Sequence, residues 1–271
     1  MIERQVDDQN AQLGSQDMKI TIPFAVILFS ALLTSPSWAD ERTLDLSAMR
    51  NQSPAQLNEL GVRYVTGEGV AQDYAQAHSL WLMAAERGHA GAQYNLGQMY
   101  ATGTGVKQDF AQAARWYRQA ADGGDALAQF SLGLFYEEGR GVAQDYAKAF
   151  ALYKAAAHQG LPQAQNSFGR LHEMGKGVGQ NIEEAKKWYR LSAQSGYVLA
   201  QSNLGFQIYA GRKSEQDLIE AYAWLSLAAQ QGNAIATAHF NELSGMMTDK
   251  QVNEGNRLAL KLWQGIQNKS R

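Results

Sequence analysis

Few residues in this 271-residue chain have the types and spacing that chemistry requires. His172-Glu173 matches the opening of a zinc-protease helix, which needs a second histidine four residues after the first so that both imidazoles share one face. Lys176 stands at that place, and none of the five histidines (His78, His89, His158, His172, His239) forms an i, i+4 pair. Gly103-Thr104-Gly105 has the glycines of a phosphate-cradling loop, but such a loop follows a strand and opens a helix. Here the segment follows a helical pattern and recurs along the chain. The carboxylate pairs Glu137-Glu138 and Glu183-Glu184 fall at turns or exposed helix starts, and there is no Gly-x-Ser-x-Gly elbow and no cysteine. The residues therefore predict no catalytic, cofactor-binding or metal site and a protein that is not an enzyme.

Charge excludes a further class. Lys+Arg number 24 against 26 Asp+Glu, and without residues 1–39 the balance is 22 of each, so no basic field exists to hold a phosphate backbone. Hydrophobic residues at 45% and charged residues at 18% describe a chain that can build a core. Near the start, Met18-Lys19, an apolar run from Ile20 to Leu33 and Ser37-Trp38-Ala39 before Asp40 have the order of a secretory signal peptide. A spanning helix needs about 20 apolar residues, and Pro36 with its polar neighbours cuts this run short. The expectation is an upstream extension over 1–17, a cleaved leader over 18–39, a lead-in over 40–54, and a soluble monomer in the periplasm or outside the cell. Zero cysteines exclude disulfides and a lipid-modified cysteine after the leader.

The elements that would position any site are repeats. Leu60-Gly61-x-x-Tyr64-x-x-Gly67-x-Gly69-Val70 returns at Leu96-Gly97, Leu132-Gly133 and Phe168-Gly169, each 36 residues on. A degenerate fifth copy at Leu204-Gly205 keeps Gly211, has Lys213 for the second glycine and carries its aromatic one place late, at Tyr209. Asp73, Asp109, Asp145, Asn181 and Asp217 share one register, as do Gly88, Gly124, Gly160, Gly196 and Gly232. Five units therefore span 55–234, each read as two antiparallel helices joined by the Gly-x-Gly turn.

The second helix of each unit is expected to open at the Asx position. Gln76, Gln112, Glu184 or Glu220 three residues on suggests capping boxes. It closes at the Gly88-type position, where a left-handed residue satisfies the last carbonyls. Tyr74, Ala77, Trp81 and Ala84 form one buried face at helical spacing, and Leu96, Gly97 and Tyr100 form the packed side of the first helix. The recurring Trp81, Trp116, Tyr117, Tyr153, Trp188, Tyr189 and Trp224 are assigned to the core. Ser53-Pro54-Ala55-Gln56 starts the first helix with a capping box and proline at its first position. Residues 235–271 depart from the repeat: Ile235–Leu243 reads as one more first-type helix, and Thr248 to Gln251 caps a final helix that closes the open end of the stack.

The recurring Ala and Gln, Leu-Gly, Tyr, Gly-x-Gly-Val, Asp, Ala, Trp-Tyr, Ala-Ala and Gly resemble the Sel-1-like repeat family over 55–234. These repeats are related to tetratricopeptide repeats, whose unit is 34 residues. The resemblance implies an all-α superhelical solenoid with a C-terminal capping helix, used as an adaptor or scaffold for another protein or an extended peptide, and often exported in bacteria. Members with a cysteine pair in each repeat have been linked to β-lactam binding or hydrolysis; this cysteine-free chain departs from that branch. A cell-wall or β-lactam hydrolase and a structural, glycan-associated envelope scaffold are the alternatives.

Function should lie where the repeats differ. On the first helix, positions 94, 98 and 101 make an i, i+4, i+7 stripe turned away from Leu96 and Tyr100. By analogy with tetratricopeptide arrays that stripe lines a concave groove. Through the copies it reads Asn58, Tyr94, Phe130, Asn166, Ser202; then Val62, Gln98, Leu134, Arg170, Phe206; then Val65, Ala101, Glu137, Glu173, Tyr209. Tyr94, Gln98, Phe130, Leu134, Arg170 and Phe206 are the candidate partner-binding residues, because aromatics and arginine dominate interface hot spots. Phe130 and Leu134 are equally compatible with packing between helices.

Overall fold

The structure is a computed structural model that describes residues 48–269. The extension, the leader and the lead-in up to residue 47 lie outside the described residues. A short 3-10 turn, Ala48–Asn51, precedes twelve α-helices. The first helices of the successive pairs are α1 (Pro54–Thr66), α3 (Ala90–Thr102), α5 (Ala126–Glu138), α7 (Pro162–Met174), α9 (Val198–Ala210) and α11 (Ala234–Met246). The second helices are α2 (Tyr74–Glu86), α4 (Phe110–Asp122), α6 (Tyr146–His158), α8 (Ile182–Ala193), α10 (Glu215–Gln230) and α12 (Asp249–Lys269). There is no strand among the described residues; from α1 to α11 each helix packs against its neighbours in sequence, and α12 packs back on α10. This is the expected α/α solenoid of hairpins.

The glycine of the Leu-Gly pair sets the distance between the two helices of a unit. A methyl group at Gly97 would lie 2.5 Å from the Tyr117 ring, and one at Gly133 would lie 2.7 Å from the Tyr153 ring. The ring therefore rests on bare first-helix backbone, closer than any side chain permits. Ala77, Ala113, Ala149, Ala185 and Ala221 line the same contacts fully buried.

Backbone ends are satisfied by side chains that recur every 36 residues. Asp73 and Asp109 accept the first amides of α2 and α4, and Asp145 and Asn181 do so for α6 and α8. The reciprocal leg of the expected capping box is absent in α2, α4 and α8 and present at Ser53–Gln56; α6 carries Lys148 at that place, where no box was expected. In the fifth unit the cap moves. Ser214, not Asp217, caps α10, and Asp217 is the returning partner of a complete capping box, so α10 starts earlier and runs 16 residues. That shift accompanies the lost turn glycine: Gly67, Gly103, Gly139 and Gly175 are left-handed, whereas Gly211 has φ −94. Two glutamine ladders that sequence reasoning did not assign do similar work. Gln93, Gln129, Gln165 and Gln201 donate to the last carbonyls of the preceding second helix. Gln72, Gln108, Gln144 and Gln180 donate to those of the first helix of their own unit.

The core assignment needs one correction. Trp81, Tyr117, Tyr153, Tyr189 and Trp224 are fully buried, whereas Trp116 and Trp188 are only half-buried. Tyr189 points at its own first helix over Gly169, and Trp188 is rotated one residue further round α8. It lies edge-on to Phe168 and beside His158, with part of the indole in water. The equivalent Trp224 is 1% exposed, in a cluster that includes Ala259 and Ile266 of the last helix. Thr248 and Gln251 exchange hydrogen bonds at the start of that helix, as expected of its cap. It crosses α10 where Gly255 meets the Tyr222 ring. Its Trp263 is 50% exposed. No helix among the described residues is long and apolar enough to cross a membrane.

Candidate functional site

In the first four units the aromatic at the Tyr117 position reaches from the second helix across to the stripe of the first helix, and its polar atom must find a partner there because the ring is buried. In the first unit the Trp81 indole donates to the backbone carbonyl of Asn58 at 3.1 Å. In the second, the Tyr117 hydroxyl donates to Gln98 Oε1 at 2.6 Å, and Gln98 Nε2 donates to the Tyr94 hydroxyl at 3.1 Å. In the third, the Tyr153 hydroxyl donates to Glu137 at 2.8 Å. In the fourth, the Tyr189 hydroxyl donates to Glu173. In the fifth, Leu225 has no hydroxyl, and Tyr209 of the first helix instead donates to Glu242 at 3.0 Å.

These nodes are linked between units. Arg170 Nη2 lies 2.6 and 2.7 Å from the two carboxylate oxygens of Glu137, and Gln207 Nε2 lies 2.5 Å from Glu173 Oε1. Asn95 donates to Asn58, and Asn203 to Asn166, each at 3.0 Å. The face formed by the first helices is thus a fixed hydrogen-bonded surface running from α1 to α11.

Its electrostatics follow from that wiring. Burial pushes the Tyr94 phenol up to about 12, against a partial offset from its hydrogen bond with Ser131. Burial and the facing carboxylates push Tyr153 and Tyr189 well above the ordinary phenol range. Burial alone would lower the Arg170 pKa, but the Glu137 carboxylate outweighs it and holds the guanidinium above its ordinary value. The Arg170 side chain keeps 35% of its surface in solvent against 11% for Glu137.

The six candidate residues sort accordingly. Tyr94, expected to line an open groove, is buried to 9% exposure against Tyr117, with ring centroids 5.7 Å apart. Its hydroxyl is held by Gln98 and lies beside Ser131 of the next unit. Gln98 joins the two phenols. Phe130 is half-buried beside Tyr153, at 5.7 Å, and Leu134 is half-buried against the core of α6 and α7. Phe206 is half-buried beside His239 at 4.9 Å. Tyr94 and Gln98 form one node, Arg170 belongs to the Glu137 node, and Phe206 stands beside the Glu242 node. Sequence reasoning missed Glu137 and Glu173 as network centres. The signal was tyrosine rather than phenylalanine at 117, 153 and 189, since a buried hydroxyl demands an acceptor.

The residues first singled out for chemistry have other work. His89 caps α3, His78 lies 3.1 Å from the Tyr100 hydroxyl, and His172 packs edge-on to Phe150 and Phe168. Glu138 pairs with Arg140, and Glu183 and Glu184 pair with Lys186 and Lys187. Among the described residues no group of three His, Cys, Asp or Glu side chains could hold a metal ion.

An array of helical hairpins with a polar, aromatic face and caps repeated every 36 residues defines an α/α repeat protein. Comparison places it more closely: the chain belongs to the Sel1 repeat family, with five Sel1 repeats at residues 57–89, 90–125, 126–161, 162–197 and 198–233. It is similar to the crystal structure of a protective antigen present in uropathogenic Escherichia coli strains and displaying an SLR fold. That match has 37% identity and a TM-score of 0.70 and covers 82% of this chain and 47% of the other. The chain thus spans about half the length of that antigen. It is also similar to a Sel1 repeat protein from Oxalobacter formigenes, with 30% identity and a TM-score of 0.64, covering 80% of this chain and 92% of the other. No curated protein is significantly similar to it. Sel1 repeat proteins are generally protein-interaction scaffolds, mostly without enzymatic activity.

Proposed function

We propose that this chain is a non-enzymatic adaptor that binds another protein, or an extended peptide of one, on the face formed by its first helices, and that it does so as a monomer in the periplasm or outside the cell. One observation carries the binding reading: Phe130, Arg170 and Phe206 stand half-exposed on a face whose polar groups are already fixed by Tyr117, Tyr153 and Tyr189. A surface held in one arrangement before binding loses little conformational freedom on binding, which favours affinity. Export is supported by the sequence of residues 18–39 alone.

The test is capture of a partner from periplasmic extract, followed by affinity measurements on Phe130→Ala and Arg170→Ala. Both should weaken binding by about 2 kcal/mol, as hot-spot truncation does. Unchanged affinity in both variants would move the site off this face. N-terminal sequencing of the mature protein should begin at Asp40, and a product that keeps Met18 would contradict export.

A further inference from the structure

At the turn of the second repeat, on the side of α3 turned away from the stripe, the surface opens into a hollow of about 480 Å³. It is lined by Tyr100 of α3, His78 of α2, Lys107 and Asp109 of the turn, and Gln112 in the first turn of α4.

The third repeat shows what chemistry this place holds. Thirty-six residues on, Tyr100, Asp109 and Gln112 become Tyr136, Asp145 and Lys148. Lys148 Nζ stands over the Tyr136 ring, 5.2 Å from its centroid, and 3.2 Å from Asp145 Oδ2. That repeat carries its own ammonium between an aromatic face and the carboxylate that caps its second helix, and both attract a cation. The second repeat keeps the ring and the carboxylate and has a neutral amide for the lysine. Asp109 Oδ1 accepts the amides of Ala111 and Gln112 at 2.9 and 3.0 Å, while no described residue bonds to its Oδ2.

The geometry points to a binding site for a primary alkylammonium group at this hollow, with a lysine side chain of another protein entering where Lys148 lies one repeat later. His78 helps by staying uncharged. Burial lowers its pKa, and its Nε2 lies 3.1 Å from the Tyr100 hydroxyl. Arg118, which donates to the Tyr136 hydroxyl, is replaced by Leu82 in this register, so no arginine competes at Tyr100. Lys107 is the one opposing charge; it is exposed and forms no ion pair with a described residue. A single carboxylate beside Lys107 favours one ammonium on an apolar stem over a free diamine, whose second charge would meet that lysine. Neighbouring repeats lack the set. The first has Tyr64, Asp73 and Gln76, but among the described residues no second helix precedes α1 to complete the hollow. In the fourth, His172, Asn181 and Glu184 replace the ring, the carboxylate and the amide.

The test is an NMR titration of the full chain with Nα-acetyl-lysine amide, which should shift the ring signals of Tyr100 and His78 to saturation. The uncharged Nα-acetyl-norleucine amide should leave them in place. Asp109→Asn keeps a cap of the kind Asn181 provides and should weaken binding about fivefold, the size of a surface ion pair. Gln112→Lys should fill the hollow from within and abolish binding. Lys107→Ala should strengthen it about twofold by removing a like charge. Melting temperatures show that each variant folds. Diaminobutane should bind more weakly than the lysine probe, and the reverse order would assign the site to a free amine and overturn the protein occupant. The ammonium site itself is overturned by the absence of any saturable shift, by equal shifts with the norleucine probe, or by full binding in folded Asp109→Asn or Gln112→Lys.

Discussion

The second and third repeats place the same ring on the same bare backbone and wire it differently. Tyr117 over Gly97 donates to the neutral Gln98, which in turn holds Tyr94. Tyr153 over Gly133, 36 residues on, donates to the carboxylate of Glu137, which also holds Arg170 of the next repeat. The ring is a property of the fold, and the acceptor of its hydroxyl is a property of the individual repeat. The ring packing is thereby kept in both repeats while the chemistry of the face varies from neutral to ionic.

The largest effects should be equal in the two repeats. Tyr117→Ala and Tyr153→Ala should each cost about 3–5 kcal/mol, the usual range for emptying a buried large aromatic, read by chemical denaturation. Trp188→Ala should cost about 1–2 kcal/mol, because only part of its surface is buried. Equal losses at 188 and 189 would contradict the division between core ring and half-exposed neighbour.

Removing only the hydroxyl should separate the repeats. Tyr153→Phe takes a donor from a carboxylate and should cost about 1.5–3 kcal/mol, against about 1 kcal/mol for Tyr117→Phe. Arg170→Gln should cost about 1–2 kcal/mol and less in high salt, since a third of that side chain stays in water. A salt-independent loss would mean that the pair acts by packing. The phenols also set an alkaline limit. Below the ordinary phenol pKa of about 10, folded and unfolded chains hold the same phenol protons. Above it the unfolded chain releases its protons while Tyr94 keeps its own to about 12. The phenols' contribution to stability is therefore complete below about pH 10 and should fall as pH rises towards 12. Phenol titration by absorbance should lag behind that of a denatured control, and coincident curves would place the rings in solvent.

Most of the architecture is legible in the sequence because the repeat states each requirement five times. Leu-Gly, the Asx caps and the Gly88-type closures each recur at 36 residues, and each performs the expected local task. The exceptions are physical. Asp217 keeps its register yet becomes the third residue of its helix, because Ser214 offers a better start once the turn glycine at 213 is gone. Trp188 and Tyr189 are adjacent aromatics whose burial depends on a rotation of one residue about the helix, which composition does not distinguish. On the candidate face, the half-exposed positions of Arg170, Phe130 and Phe206, which differ from repeat to repeat, were legible. The face was not legible at Tyr94, which is buried against Tyr117 and held by Gln98, nor at Glu137 and Glu173, whose role depends on hydroxyls 16 residues away.

The central claim is that the face of first helices is where this chain meets its partner. Hydrogen–deuterium exchange of the full chain, with and without the captured partner, tests it most directly. Binding should slow exchange in α3, α5, α7 and α9 and leave α4, α6 and α8 unchanged. Protection confined to the second helices, or to α12 around Trp263, with the first helices unaffected, would contradict it.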